Sequence, residues 1–431
     1  MQNKITQKNL YDLLRIEFNS IPEYRSGNLT ISLSDGLMSA FSIFSLKEKS
    51  LLQFHNKREC NSENLKNIYG IKNVPSDTHM RKMLDPISPD SLRGVFTKVF
   101  KLLQRTKRLE SYKFLGDYYL LSADGTGYFS SEKVHCKNCM EKVSRNGKTT
   151  YYHQFNGASI VHPDLKTVIP LCPEPIQKQD GSTKNDCERN ASKQILSKFR
   201  KEHPKLKVII TEDGLASNAP HIKDIISHNM SYILGVKPGD HKYLFSEFEK
   251  DKKEGKTNQV IIEDEHIVRI LTFKNKLPLN SSNKDLLVNF IELKEIDNKK
   301  DTVKTFTKIT DIEITERNAL EIMRGGRARW KIEKETFNTL KNQGYNFEHN
   351  FGHGKQNLTV NFAMLMLMAF LVDQVIEMCD KNWNKAREKL KAKRAVWEKV
   401  LNIFQEFEVD SMEDIIKAII SDGCKKPKLI I

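Results

Sequence analysis

The stretch "RGGRARWKIEKETFNTLK", Arg324 to Lys341, decides how the rest of the chain is read. Trp330, Phe337 and Leu340 recur at the spacing of one helical face, which predicts an apolar stripe packed on a sheet. Arg329, Glu333, Phe337 and Lys341 step by four, so on the adjoining stripe a glutamate stands between two cations. A solvated Arg-Glu-Lys ladder, stabilising by a few tenths of a kcal/mol, is the competing reading. Such a ladder has little use for a tryptophan, and Arg324 and Arg327 add charge one to two turns upstream.

Working outward, "YYLLSA" (Tyr118 to Ala123) predicts a buried strand, ended by the glycines of Asp124-Gly-Thr-Gly. Two more strands are expected around "YYHQFNGASIV" and "TVIPLC", then the helix "NDCERNASKQILSKFRKEHP", capped by Asn185 or Asp186 with Pro204 past its end. "KVIITEDG" reads as a strand ending at Glu212-Asp213-Gly, followed by the helix "NAPHIKDIISHN" and the strand "SYILGVK". That order predicts an α/β core. Three strand-like segments between about Asp240 and Thr315 predict a β-rich insertion, and Glu316 to Gln343 one long helical stretch.

The first 110 residues read as helices with interspersed basic residues, a DNA-binding head in which Ser76 or Asp77 caps a helix. The expected division is 1–110 helical N-terminal region, 111–240 first part of the core, 241–315 insertion, 316–375 last part of the core with the charged helix, and 376–431 helical C-terminal region, including a basic helix "NWNKAREKLKAKRAVWEKVLNIF".

With 431 residues, 39% of them hydrophobic, the chain can bury a large core. Seventy Lys and Arg against 55 Asp and Glu give a formal charge of +15, which favours polyanionic partners: nucleic acid first, an anionic membrane surface second. The N-terminus has no apolar segment of the kind that directs export. The longest apolar run, Phe362 to Val372, has 11 residues against the ~20 that span a bilayer, and reads as a core helix. Seven scattered cysteines fit reduced thiols in a cytoplasm.

Three acidic residues stand out by position: Asp124 and Asp213 at strand ends, and Glu333 on the late helix. Strand ends on one side of an open sheet share a crevice, and a helix across the sheet brings a third carboxylate to it. Hard divalent cations are the usual solution to such a cluster, and a pair of Mg²⁺ ions roughly 4 Å apart suits phosphoryl transfer.

The motifs "SADGTG", "TEDGLASNAPHI" and "RARWKIEKETFNTLKNQGYNFEHNFGHG" resemble insertion-sequence transposases of the DDE superfamily, in the insertion-sequence-four-like group with a β-strand insertion between the second Asp and the Glu. The resemblance spans roughly Ser76 to Gln356. It implies an RNase H-like catalytic core and Mg²⁺-dependent (or Mn²⁺-dependent) cleavage at the inverted-repeat ends of double-stranded DNA, followed by strand transfer into a target. It further implies Asp124, Asp213 and Glu333 as catalytic metal ligands, Arg329 and Lys341 as the phosphate-binding pair of a Tyr-Arg-Glu-Lys signature, a homodimer on DNA, no membrane, and a cytoplasmic, nucleoid-associated location. This chain departs from the signature in two places: Gly326 stands where the tyrosine is expected, and Lys341 follows Glu333 by eight residues instead of seven. Glu335, about 200° around the helix from Glu333, is the weaker alternative for the third carboxylate. A transposase-derived DNA-binding protein without activity and a nuclease without strand transfer are the alternatives.

Two further groups draw notice. Cys136 and Cys139 have the spacing of half a structural zinc site, which His153 with His135, Cys172 or Cys187 would complete. The loop "EHNFGHGK" carries Glu348, His349, His353 and Lys355; the two histidines and Lys355, with Arg327 and Trp330, are candidates to lie near DNA. Packing is the first reading for Trp330 and base stacking the second.

Overall fold

The computed structural model describes residues 5–176, 184–421 and 428–429. Six helices lead the chain: α1 (Gln7–Asn19), α2 (Leu33–Ser45), α3 (Leu51–Lys57), α4 (Ser62–Tyr69), α5 (Asp77–Leu84) and α6 (Arg93–Arg105). Thr6, Ser32, Ser50 and Ser76 each accept a hydrogen bond from an unpaired first-turn N–H, so Ser76 is the cap of α5 and Asp77 its first residue. Helix α2 is buried along its whole length, which places it centrally.

The sheet follows: β1 (Lys113–Phe114), β2 (Tyr118–Ser131), β3 (Met140–Val143), β4 (Thr149–Val161), β5 (Ile169–Pro170) and β6 (Glu174–Ile176), then α7 (Lys184–Glu202), β7 (Val208–Glu212), α8 (Ala219–Ser227) and β8 (Ser231–Gly235). Both β5 and β6 pair with β4; β4 is antiparallel to β2, and β7 and β8 continue from β2 in parallel. The cap expected at Asn185 or Asp186 falls where side chains lie outside the described residues.

Two expectations need correction. Strand β2 does not stop at the Asp124-Gly-Thr-Gly glycines but runs to Ser131, with a register shift between Gly127 and Phe129. Glycine tolerates extended backbone, and a partner strand that continues supplies the hydrogen bonds. What ends near Asp124 is the pairing on the other side, since β7 accompanies β2 only as far as Ser122. The insertion also opens with a helix that the sequence reading passed over, α9 (Lys242–Lys253), before β9 (Asn258–Asp264), β10 (Ile267–Asn280), β11 (Asn283–Asp297) and β12 (Thr302–Thr310). Strand β12 pairs antiparallel with β8, so the insertion extends the core sheet to twelve strands.

The last part carries α10 (Ala319–Arg327), a 3₁₀ turn (Ala328–Trp330), a π-helical segment (Ile332–Phe337) and α11 (Asn338–Asn342), then α12 (Leu358–Cys379), α13 (Lys381–Leu390), α14 (Lys393–Glu406) and α15 (Met412–Ile420). The basic helix expected after α12 is two helices, parted at Lys391 with φ 62°. Helix α12 is long and apolar enough by composition to cross a membrane, yet it is buried from Leu358 to Ile376, as expected of a core helix. The N-terminal helices clasp it. Asp85 Oδ1 accepts from the N–H groups of Gln356, Asn357 and Leu358 (2.9–3.1 Å), capping α12 from a distant part of the chain. The Asn361 amide donates to the Leu84 and Ile87 carbonyls (2.8 and 2.9 Å), and Lys47 Nζ pairs with Asp373 Oδ2 at 2.6 Å in the interior. Residues 5–110 thus share one core with the rest instead of standing apart as a head.

Candidate active site

Strands β2 and β7 last pair where Ser122 stands opposite Thr211. Both hydroxyls donate to the backbone of the charged helical stretch, Ser122 to the Arg329 carbonyl (2.9 Å) and Thr211 to that of Gly326 (3.5 Å). Asp124 and Asp213 follow two residues further along each chain, so alternation returns Asp124 to the face of Ser122.

The helix is held down by Ile332, Thr336, Phe337 and Leu340, all buried. Thr336 Oγ1 lies 3.3 Å from Ser159 Oγ on β4, and Phe337 meets Phe155 edge-on at 6.4 Å. Gly157, the β4 partner of Asp124, makes room: a Cβ there would stand 2.9 Å from Phe337 Cε1. Trp330 is not part of this anchor. It is 50% exposed, with Lys334 Nζ 4.7 Å from its ring centroid. The stripe that the sequence suggested assumes unbroken α geometry, whereas the 3₁₀ and π turns rotate Trp330 away from Phe337.

The same π segment takes up an extra residue per turn, so the eight residues from Glu333 to Lys341 cover the arc that seven cover in a regular helix. Arg329 joins two of the three candidate carboxylates: Nη1 is 3.3 Å from Asp124 Oδ2 and Nη2 is 2.7 Å from Glu333 Oε1. Burial pushes Asp124 up to about 7; Arg329 opposes that shift and the nearby Glu333 carboxylate adds to it. Glu333 is half exposed, open to a ligand or substrate. Glu335 lies on the side of Lys331, whose charge it supports.

Asp213 shares a cavity of about 810 Å³ with Arg329, Gly235, Phe306 and Lys308. Its Oδ1 accepts from the Leu215 N–H (3.0 Å), and the preceding Glu212 is held by His221 of α8 at 2.5 Å. Lys308 escaped the sequence reading. It sits on β12 opposite Gly235, and burial, with Arg329 and Arg327 nearby, pushes its pKa down to about 8 although Asp213 opposes. The only hint in the sequence is a lysine set between Phe306 and Ile309 in a strand-like segment. Its stem fills the space beside Gly326, where a Cβ would stand 2.7 Å from Ile233 Cγ2 and 2.9 Å from Lys308 Cδ.

Against this geometry the sequence model of the transposase DDE domain family matches residues 134–371, more than half of the chain. The chain belongs to that family. The match takes in Asp213 and Glu333 and begins just after Asp124. No curated protein matches the transposase. Among solved structures, the NurA nuclease from Sulfolobus solfataricus is similar over 57% of the transposase chain and 91% of its own, with 11% identity and a TM-score of 0.24.

Other candidate residues of the transposase fall in different places. Lys341 pairs with Glu348 at 2.7 Å, and Arg327 pairs with Glu295 at 3.2 Å while stacking on Phe306. His349 is exposed and edge-on to Phe351; Lys355 is exposed, its N–H held by Asp85 at 2.9 Å. His353, expected near DNA, is buried instead, with Nε2 3.5 Å from Cys139 Sγ. Cys136 and Cys139 meet His153, whereas His135 stacks on Tyr151 and Cys172 is buried against Pro173. The Cys187 side chain lies outside the described residues. Burial pushes Cys139 up to about 12 and His153 down to about 4.

Proposed function

We propose that this transposase cleaves DNA at inverted-repeat ends and joins the freed end to target DNA, using Asp124, Asp213 and Glu333. The observation that carries the reading is the Arg329 guanidinium resting between Asp124 and Glu333, residues from a strand and a distant helix brought to one cation. The strand order β5/β6–β4–β2–β7–β8 supports an RNase H-like core. The β-rich segment between Asp213 and Glu333 supports the insertion-sequence-four-like group.

The donor set fits hard divalent cations: carboxylate oxygens, one of them pushed toward protonation by burial and a neighbouring like charge, already drawing a positive group between them. Asp124, Asp213 and Glu333 would hold Mg²⁺ or Mn²⁺, most simply as two ions. Such ions polarise the phosphate and activate the attacking oxygen. The chain's own part is positioning and charge. Arg329, released from its carboxylates, and Lys341, released from Glu348, are set to grip phosphate, and Lys308 adds a cation in the place the missing tyrosine would need. The +15 charge suits double-stranded DNA, and joining two ends implies a dimer on DNA. A cytoplasmic, nucleoid-associated location follows from that substrate.

The test is a plasmid bearing the element's own inverted repeats, incubated with Mg²⁺ and either wild type or Asp213→Asn. Cleavage and joined products with wild type alone support the reading. Equal inactivity of both with end-binding intact identifies a silent DNA-binding protein, and cutting without joining identifies a nuclease.

A further inference from the structure

Well up β2 from Asp124, four donor atoms from three separate segments converge. Cys136 and Cys139 come from the turn before β3, His153 from β4 opposite Phe129, and His353 from the loop between α11 and α12. All four atoms lie within 4.8 Å of one another, and three of the residues are buried. The Cys136 and Cys139 sulfurs are 3.8 Å apart; His153 Nε2 is 3.4 Å from the first and 3.3 Å from the second; His353 Nε2 is 3.5 Å from Cys139 Sγ.

These lengths discriminate. A disulfide requires about 2.05 Å between sulfurs. A tetrahedron with Zn–S near 2.3 Å and Zn–N near 2.0–2.1 Å has edges of about 3.8 Å between sulfurs and about 3.5 Å between sulfur and nitrogen. The supporting contacts also suit a metal site. His353 Nδ1 lies 3.2 Å from Thr359 Oγ1, which leaves Nε2 as the ligating nitrogen, and the Cys136 N–H points at Cys139 Sγ at 3.4 Å.

We infer that Cys136, Cys139, His153 and His353 form a closed, tetrahedral structural zinc site that pins the loop following the Glu333 helix to the turn before β3 and to β4, the strand paired with the one carrying Asp124. With two thiolates and two imidazoles the shell is full, so the ion is structural and not a second catalytic centre. Just past His353 the loop is held again by Asp85 at the α12 cap, and Asn138 Nδ2 donates to the Gln356 carbonyl at 3.1 Å beside it. The ion thus fixes the part of the loop after α11 that leads into α12.

The test uses the full chain purified under reducing conditions without chelator. Elemental analysis is expected to find about one zinc per chain. Cobalt exchanged into the wild type is expected to show intense tetrahedral ligand-field bands and thiolate-to-cobalt charge transfer. His353→Gln is expected to bind zinc at least about tenfold more weakly, while His349→Gln, on the same loop but exposed, keeps full stoichiometry. Zinc well below one equivalent in the wild type, or an octahedral cobalt spectrum without charge transfer, overturns the site. Full affinity in His353→Gln overturns its fourth ligand. Neither readout involves DNA, so either result leaves the transposition reading to its own test.

Discussion

Lys308 occupies the space that any side chain at position 326 would enter: a Cβ on Gly326 would stand 2.9 Å from Lys308 Cδ and 3.0 Å from its Cε. The lysine, from the insertion, fills this space from the sheet side, and the glycine of the helix leaves it open. Gly326→Ala is expected to destabilise the fold by about 1–3 kcal/mol through overpacking. Lys308→Ala in the same chain should recover only part of that, because Ile233 Cγ2 at 2.7 Å still obstructs. Denaturant unfolding of both single variants and the double variant checks this; strictly additive effects would refute the shared space.

The anchoring of the charged helix separates Phe337 from Trp330. Phe337→Ala should cost about 3–5 kcal/mol as a buried aromatic deletion, whereas Trp330→Ala, half exposed, should stay within about 0.5 kcal/mol. Thermal or urea denaturation decides it, and a large loss for Trp330→Ala would return that residue to the core.

His203 offers a pH dependence remote from the site. It is packed between Phe100 and Phe199, with centroids 4.4 and 4.9 Å away, and burial, helped by Lys101 and Arg200, pushes it down to about 4. The unfolded chain binds that proton near pH 6.5 and the folded chain only near 4, so stability is complete above about 6.5 and falls as pH drops between the two. Between pH 7.5 and 5 the loss from this residue should be about 2 kcal/mol. Urea unfolding at both pH values should show a slope smaller by that amount in His203→Gln; identical slopes would contradict it.

Much of this was legible in the sequence because local patterns carry it: the strand of Val208–Glu212, the core helix after Leu358 and the cap at Ser76 are all short-range signals. What escaped depends on contacts between distant segments. Lys308 acquires its place only when β12 pairs with β8, a register the periodicity of β12 does not state. The π turn that rotates Trp330 outward leaves the residue types of a helix unchanged, so a regular helical wheel misplaces it. His353 reads as a loop histidine until the fold sets it beside a cysteine pair more than 200 residues earlier in the chain. The glycines after Asp124 looked like a strand end because the partner that carries β2 past them, β4, is not visible from β2 alone.

The central claim, that Glu333 completes a carboxylate set with Asp124 and Asp213, is tested most directly by comparing Glu333→Gln with Glu335→Gln in a Mg²⁺-dependent end-cleavage assay, with end-binding measured alongside. Glu333→Gln should lower cleavage by about a hundredfold or more while DNA binding persists, and Glu335→Gln, directed toward Lys331, should keep most of it. Cleavage that survives Glu333→Gln and is lost in Glu335→Gln would contradict the account.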